Sequence, residues 1–368
     1  SVYCEDSTDL LFCFSCKQSS DCFGSTNLYG KKFCFLNEQL TEEEYRRRLA
    51  DIDLSDARVV EAWKEKILVL WKEAYWRAGM IVRSEDSIGD DLMDDRSVYG
   101  VTIYNSQRCY YGWGMPGGGQ DCMNFTGAKD VQRCYEILRT FRGYENKFTN
   151  VCDGCIDIEY SEFMNNCEHC FGCVGLKHKK FCIFNKQYTE EEYWQLVDKI
   201  KTAMLERGEY GEYFPYAFSG FAYNTSHANV IAKLSKEQAL AVGARWYEYP
   251  TTEARDTLLI EELPYTLAET TDEIIGKRFR CPVSGRAFSI IKPELDLHRT
   301  LNIALPRVHP KVRQEQLGHW VLPAYFYKRA CGSCGKIVET RVSEVLGKRI
   351  LCMACYQAVT TGEKQPPV

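Results

Sequence analysis

The sequence predicts a mixed α and β, multidomain fold: a cysteine-rich, β-solenoid-like body of short strands, interrupted by helical insertions. Three observations predict it. The stretch from Cys22 to Tyr45 (CFGSTNLYGKKFCFLNEQLTEEEY) returns at Cys170 to Tyr193 (CFGCVGLKHKKFCIFNKQYTEEEY), 148 residues later, with 15 of 24 positions identical. Self-similarity of this kind marks a repeated structural unit. Cys109, Cys122, Cys134, Cys155 and Cys167 then follow one another at intervals of 13, 12, 21 and 12 in similar frames. About a dozen residues is too short for a helix hairpin but suits strands stacked as coils, with small thiols aligned inward as a ladder. Finally, Cys331-Gly-Ser-Cys334 and Cys352-Met-Ala-Cys355 are separated by 17 residues. That spacing fits a zinc ribbon or treble clef, so a C-terminal zinc ribbon is expected.

Residues 1–40 alternate cysteine and aromatic residues over three to five positions between polar turns, as at Leu11-Phe-Cys13-Phe-Ser-Cys16, and accommodate no helix. This pattern is already running at Ser1, which predicts coil sequence upstream. A helical insert is expected over 41–96, starting with a Thr41/Glu44 capping box. A second start at Ser55-Asp56 leads into an apolar face of Val59, Val60, Trp63, Ile67 and Trp71, reaching about Gly79, and the acidic stretch 84–96 reads as a linker. The strand rhythm returns over 97–188; its loop Gly112–Gly119 lacks the Gly-Lys-Ser/Thr of a phosphate loop. Within 189–276, Thr189 caps a helix with Tyr193, Leu196, Val197, Ile200 and Met204 inward, followed by aromatic loops, a short helix at 235–243 and an acidic linker at 249–271. Residues 277–320 form a basic segment with a degenerate knuckle (Cys281-Pro-Val-Ser284-Gly285) and a helix at 293–300, and 321–368 the ribbon.

The 368-residue chain is 45% apolar and 13% aromatic, enough for several true cores. Its net charge of -5 is uneven: Lys277 to Arg349 holds 15 Lys and Arg against 5 Asp and Glu, leaving about -15 elsewhere. A basic segment on an acidic body points to a polyanionic partner. No apolar run approaches the roughly 20 residues of a membrane span, so no membrane association is expected. The sequons Asn124-Phe-Thr126 and Asn224-Thr-Ser226 argue for secretion. C-x2-C pairs favour metal-held thiolates in a reducing cytoplasm, which is the expected location.

Cys331, Cys334, Cys352 and Cys355 are the expected ligands of one structural Zn2+, a closed set with no position for a substrate. A second metal set is available in Cys152, Cys155, Cys167, Cys170, Cys173 and Cys182. The C-x2-C-x2-C run at 167–173 has the beginnings of an iron–sulfur pattern without its fourth Cys and Pro. The earlier repeat carries Ser19, Cys22, Ser25 and Cys34 at the aligned positions, which favours core filler over ligation. Arg307, Lys311, Arg313, Lys328, Arg329, Lys336, Arg341, Lys348 and Arg349 are interleaved with Trp320, Tyr325, Phe326 and Tyr327, the mixture that phosphate contact and base stacking require. The alternative is that these charges meet the acidic body of the same chain. The six histidines show no metalloprotease or triad grouping, and no catalytic residue or small-molecule substrate is assigned.

The segment 170–193, with Ser284 to Phe288, Leu305 to Pro310 and the terminal cysteine pairs, resembles a family of cysteine-rich zinc-ribbon proteins of candidate-phylum (Patescibacteria-type) bacteria. The likeness covers about two thirds of the chain, mainly 97–215 and 277–357, and the insert at 41–96 departs from it. The resemblance implies architecture and zinc but no activity. Taken together, the expectation is a non-enzymatic zinc-containing scaffold or adaptor that binds nucleic acid, RNA or a ribonucleoprotein in preference, through its basic C-terminal module. The alternatives are a protein-binding scaffold using the aromatic, Cys-lined coil face, and a metal or iron–sulfur enzyme centred on Cys152 to Cys182.

Overall fold

The computed structural model describes residues 1–96, 98–113, 131–133, 139–140, 142–226, 228–232, 234–249, 256–323 and 325–362. Cys122, Cys134, Asn124 and the tip of the Gly112–Gly119 loop lie outside them.

From Val2 to Phe35 the chain winds in turns of twelve residues. Strands Thr8–Leu11, Ser20–Phe23 and Lys32–Phe35 pair in parallel, with Thr8 opposite Ser20 and Ser20 opposite Lys32. Single bridges repeat the twelve-residue offset on two further sides, Val2–Phe14–Thr26 and Glu5–Lys17–Tyr29. Each side is only three residues long: one points inward, one outward, and the third turns the corner in the left-handed region. Corners Phe12, Ser15, Gln18 and Asp21 have φ between 49° and 53°. A left-handed corner costs a non-glycine residue about 1–2 kcal/mol. That cost is offset by backbone bonds to the adjacent turn, such as Ser15 N–H to Val2 O (2.9 Å) and Asn27 N–H to Phe14 O (3.0 Å). Interiors this narrow are filled mainly by small side chains, as by Cys13, Cys16, Ser19 and Cys22 at no more than 2% exposure, with a few larger ones such as Ile158 and Met164 among them.

The same winding resumes after a helical interruption. Ile81–Val82, Ile88–Met93, Tyr99–Tyr104 and Tyr110–Trp113 pair in parallel, and Ile81, Leu92 and Ile103 align at offsets of eleven. Residues 84–96 are therefore coil rather than linker. Most of their acids face outward or occupy corners, as Asp86, Asp91 and Asp94 do at positive φ, while Leu92 and Asp95 are buried. Farther on, Gly143–Tyr144, Cys155–Glu159, Glu168–Phe171 and Lys180–Ile183 stack at offsets of twelve. In both repeats a short antiparallel return, Glu38–Gln39 or Lys186–Gln187, reverses the chain into a capped helix.

Eight α-helices are present among the described residues: α1 Glu42–Ala50, α2 Ala57–Glu73, α3 Glu190–Glu206, α4 Ala228–Ile231, α5 Lys236–Ala241, α6 Lys292–Leu301, α7 Pro310–Gly318 and α8 Met353–Thr361. The single helix expected from Thr41 to Gly79 is broken in two, because Asp53 turns the chain by accepting from Ser55 N–H (2.9 Å) and Asp56 then caps α2. Thr41 and Thr189 both accept from the residue three positions on, and Tyr45 and Tyr193 are the equivalent buried anchors. Trp63, Ile67 and Trp71 of α2 pack over Phe14, Phe23 and Phe35. The expected linker at 249–271 is also corrected: Ile260 and Leu263 are buried in one core with Phe279, Ile290, Leu295 and Val312.

Candidate metal centre

The C-terminal module assembles four thiols. Tyr327–Ala330 and Ile337–Thr340 form an antiparallel hairpin, and its turn carries Cys331 and Cys334. Cys331 N–H donates to Lys336 O (2.8 Å), Gly335 N–H donates to Cys331 O (3.0 Å), and Gly335 supplies the positive φ (75°) that closes this knuckle. The second pair is helical: Cys352 is the N-cap of α8 and Cys355 lies in its first turn. The module is therefore knuckle, hairpin and helix, the treble-clef order, and not a ribbon of two knuckles. Met353, Ala354, Tyr356, Gln357 and Ala358 carry no turn signal, so the chain continues as helix where a ribbon would turn back.

All four sulfurs lie within 4.8 Å of one another, positioned to hold a metal ion. Cys334 and Cys352 Sγ are 3.8 Å apart, and Cys352 N–H donates to Cys331 Sγ (3.2 Å). Burial works against ionising Cys331, but backbone N–H groups of Cys334, Cys352 and Ser333 bring it down to about 6. Burial and the surrounding thiols push Cys355 up to about 12. One site thus presents both a ready thiolate, Cys331, and a thiol, Cys355, whose ionisation a bound cation would favour.

The six mid-chain cysteines are arranged otherwise. Cys152, Cys155, Cys167, Cys170, Cys173 and Cys182 are buried together inside the coils, but among the described residues only the terminal four bring three or more ligand atoms within that distance. Their C-x2-C-x2-C spacing is the length of a coil side, so successive thiols face inward from successive sides. Cys170 stands opposite Cys182 in the parallel register. Cys173 Sγ lies 3.4 Å from the carbonyls of both Phe171 and Cys182 and accepts from Asn185 N–H (3.3 Å), and contact with Cys170 lowers it to about 7. Contact with Cys155 and burial push Cys152 up, while that contact lowers Cys155. In the first repeat serine does the same work: Ser25 Oγ accepts from Asn37 N–H (3.1 Å).

The nine predicted nucleic-acid contacts divide. Arg307 lies over the Tyr265 ring (3.9 Å) and donates to the carbonyls of Leu263 (2.7 Å) and Ile260. Arg313 pairs with Glu294 (2.7 Å), Arg329 donates to the carbonyls of Val342, Ser343 and Lys348, and Arg341 pairs with Asp90 (3.2 Å). Those four are used within the fold. Among the described residues, Lys311, Lys328, Lys336, Lys348 and Arg349 have no carboxylate within ion-pair distance. Lys348 lies over Trp76 and Arg349 over Tyr75.

The degenerate knuckle expected at Cys281 to Gly285 forms; what sequence reasoning missed is the helix start at His309 that completes the same design. Cys281 N–H donates to Arg286 O and Gly285 N–H to Cys281 O (both 2.9 Å), as in the knuckle at 331–336. His309 caps α7 as Cys352 caps α8. The four ligand positions are thus Cys281, Ser284, His309 and Val312. His309 Nδ1 accepts from Lys311 N–H (3.0 Å) and Val312 is buried in the apolar core, so packing fills the place that the four sulfurs occupy in the other module. One cysteine and a wider spacing left little in the sequence to show it.

The fold and site define a mixed α and β protein with a C-terminal cluster of four cysteines positioned to hold a metal ion. Comparison with protein-family models, with curated proteins and with solved structures finds no match. No helix among the described residues is long and apolar enough to cross a membrane.

Proposed function

We propose that this protein is a non-enzymatic scaffold of β-solenoid type whose C-terminal centre holds one structural zinc ion, and that it binds nucleic acid, RNA in preference, in a reducing cytoplasm. The observation that carries this reading is the closed quartet of Cys331, Cys334, Cys352 and Cys355. Four sulfur donors at tetrahedral spacing suit zinc and leave no open position for a reacting group. The solenoid reading is supported by parallel pairing at offsets of eleven or twelve residues. Cations left over from the fold, Lys311, Lys328, Lys336, Lys348 and Arg349, are the contacts this reading assigns to phosphate.

Metal analysis of purified chain tests the first part, with about one zinc per chain expected and none after Cys331→Ser. Less than half an equivalent in the unaltered protein ends it. The second part is tested by titrating a single-stranded oligoribonucleotide at several salt concentrations. Five phosphate contacts predict a slope of log K against log salt of about -3.5. A flat response, or no binding to any nucleic acid at low salt, overturns this part without touching the first.

A further inference from the structure

The two repeats present equivalent faces that are finished differently. In the first, Ser15 and Thr26 are 8% and 7% exposed, and Leu36 packs in the aromatic core. Tyr356 of α8 lies 2.7 Å from Ser15 Oγ, and Ile67 of α2 lies against Gly24. At the positions 148 residues on, Phe163, Val174 and Phe184 are 57%, 54% and 67% exposed. Phe184 lies over Gly172, which corresponds to Gly24, yet among the described residues no helix covers it as α2 covers the first repeat. Beneath Phe184 the buried rings of Phe171 (6.5 Å) and Tyr160 (5.4 Å) lead on to Phe214 (5.7 Å) and Phe218 (5.9 Å), and Phe218 is 75% exposed. Large exposed apolar surface of this kind marks a contact region.

Charge narrows the occupant. Residues 169–189 contain four lysines, Lys177, Lys179, Lys180 and Lys186, and no Asp or Glu. Lys180 is paired with Glu168 (2.6 Å), and Glu162 beside Val174 is engaged by Asn150 (3.4 Å). We infer that the face formed by Phe163, Val174 and Phe184 docks an acidic amphipathic helix of a partner protein, as α2 covers the first repeat in cis. Its apolar side would meet the rings and its carboxylates the lysines, the helix-in-groove mode of recognition. The inference is independent of the nucleic-acid reading, which concerns residues 307–349.

The test uses the full chain and a fluorescent peptide carrying the α2 sequence with glutamate replacing Lys64, Lys66 and Lys72. Saturable binding is expected, at least five-fold tighter than for the unaltered α2 sequence, and at least ten-fold weaker in Phe184→Glu and in Val174→Glu, both with unchanged melting curves. Three results overturn the inference: affinity unmoved by either substitution, absence of saturable binding, or self-association that Phe184→Glu abolishes, which would make a second copy of this chain the occupant. Displacement of the peptide by oligouridylate, with Phe184→Glu weakening the oligonucleotide as well, would assign the face to nucleic acid and overturn it equally.

Discussion

Asp95 lies inside a coil at 3% exposure, accepting from Ser106 N–H (2.8 Å) and Met93 N–H (3.0 Å). Burial outweighs those bonds and pushes its carboxyl up to about 6. The folded chain therefore holds this proton more tightly than the unfolded chain does. Below about pH 3 both states are protonated, and stability should fall by about 2–3 kcal/mol as pH rises from 3 to 7. Urea midpoints measured across that window should show the slope, and Asp95→Asn should remove it whatever its effect on absolute stability. The thiols obey a size rule instead. Burial pushes Cys22 up to about 12, and Cys170 is wholly buried, so each acts as a neutral small side chain. Cys170→Ser should cost about 1 kcal/mol, whereas Cys170→Leu overfills the coil and should cost about 3 kcal/mol. Chemical denaturation separates the two, and equal losses would contradict the narrow-core account.

At the level of elements, the capped helices were the most legible part of the sequence. Thr189 accepts from Glu192 N–H while the Glu192 carboxylate accepts from Thr189 N–H (3.0 Å), and Thr-Glu-Glu-Glu announces that pair directly. Thr189→Ala should lower thermal stability by about 1 kcal/mol, read from the melting curve. The four terminal cysteines were legible for a similar reason, since two close pairs specify a local geometry. The coils were legible only in their long period. Their three-residue side was hidden, because corners as unlike as Phe12, Gln18 and Asp21 all adopt positive φ and are set by bonds to the next turn rather than by local preference. Acidic residues at corners likewise disguised 84–96 as a linker. The basic residues misled in the opposite direction: a sequence shows that Arg307 and Arg341 are cations, but not that backbone carbonyls of Ile260, Leu263, Leu322 and Pro323 already receive their protons.

Across the whole molecule, the C-terminal module and the first coils are one packed unit. Arg349–Leu351 pairs in parallel with Tyr75–Arg77, and Val342 and Ile350 share a core with Phe14, Trp71 and Trp76. The Tyr356 hydroxyl donates to Ser15 O (3.2 Å) and receives a bond from Asn27 Nδ2 (3.2 Å). Chelating the ion that we assign to the four cysteines should therefore speed hydrogen exchange not only over 327–361 but also at residues 14–27 and 75–77. Tyr356→Phe should cost about 1–2 kcal/mol and weaken that coupling while leaving metal content unchanged. The module at 277–319 should keep its protection after chelation, because Val312 and Cys281 close it by packing.

The pairing of Tyr75–Arg77 with Arg349–Leu351 joins segments that leave the ribosome far apart in time. During synthesis Trp76 must wait, its indole uncovered, until the strand at Arg349–Leu351 has been made. A message cut short before codon 349 would yield a product with that flank permanently bare, a natural substrate for chaperones or proteases.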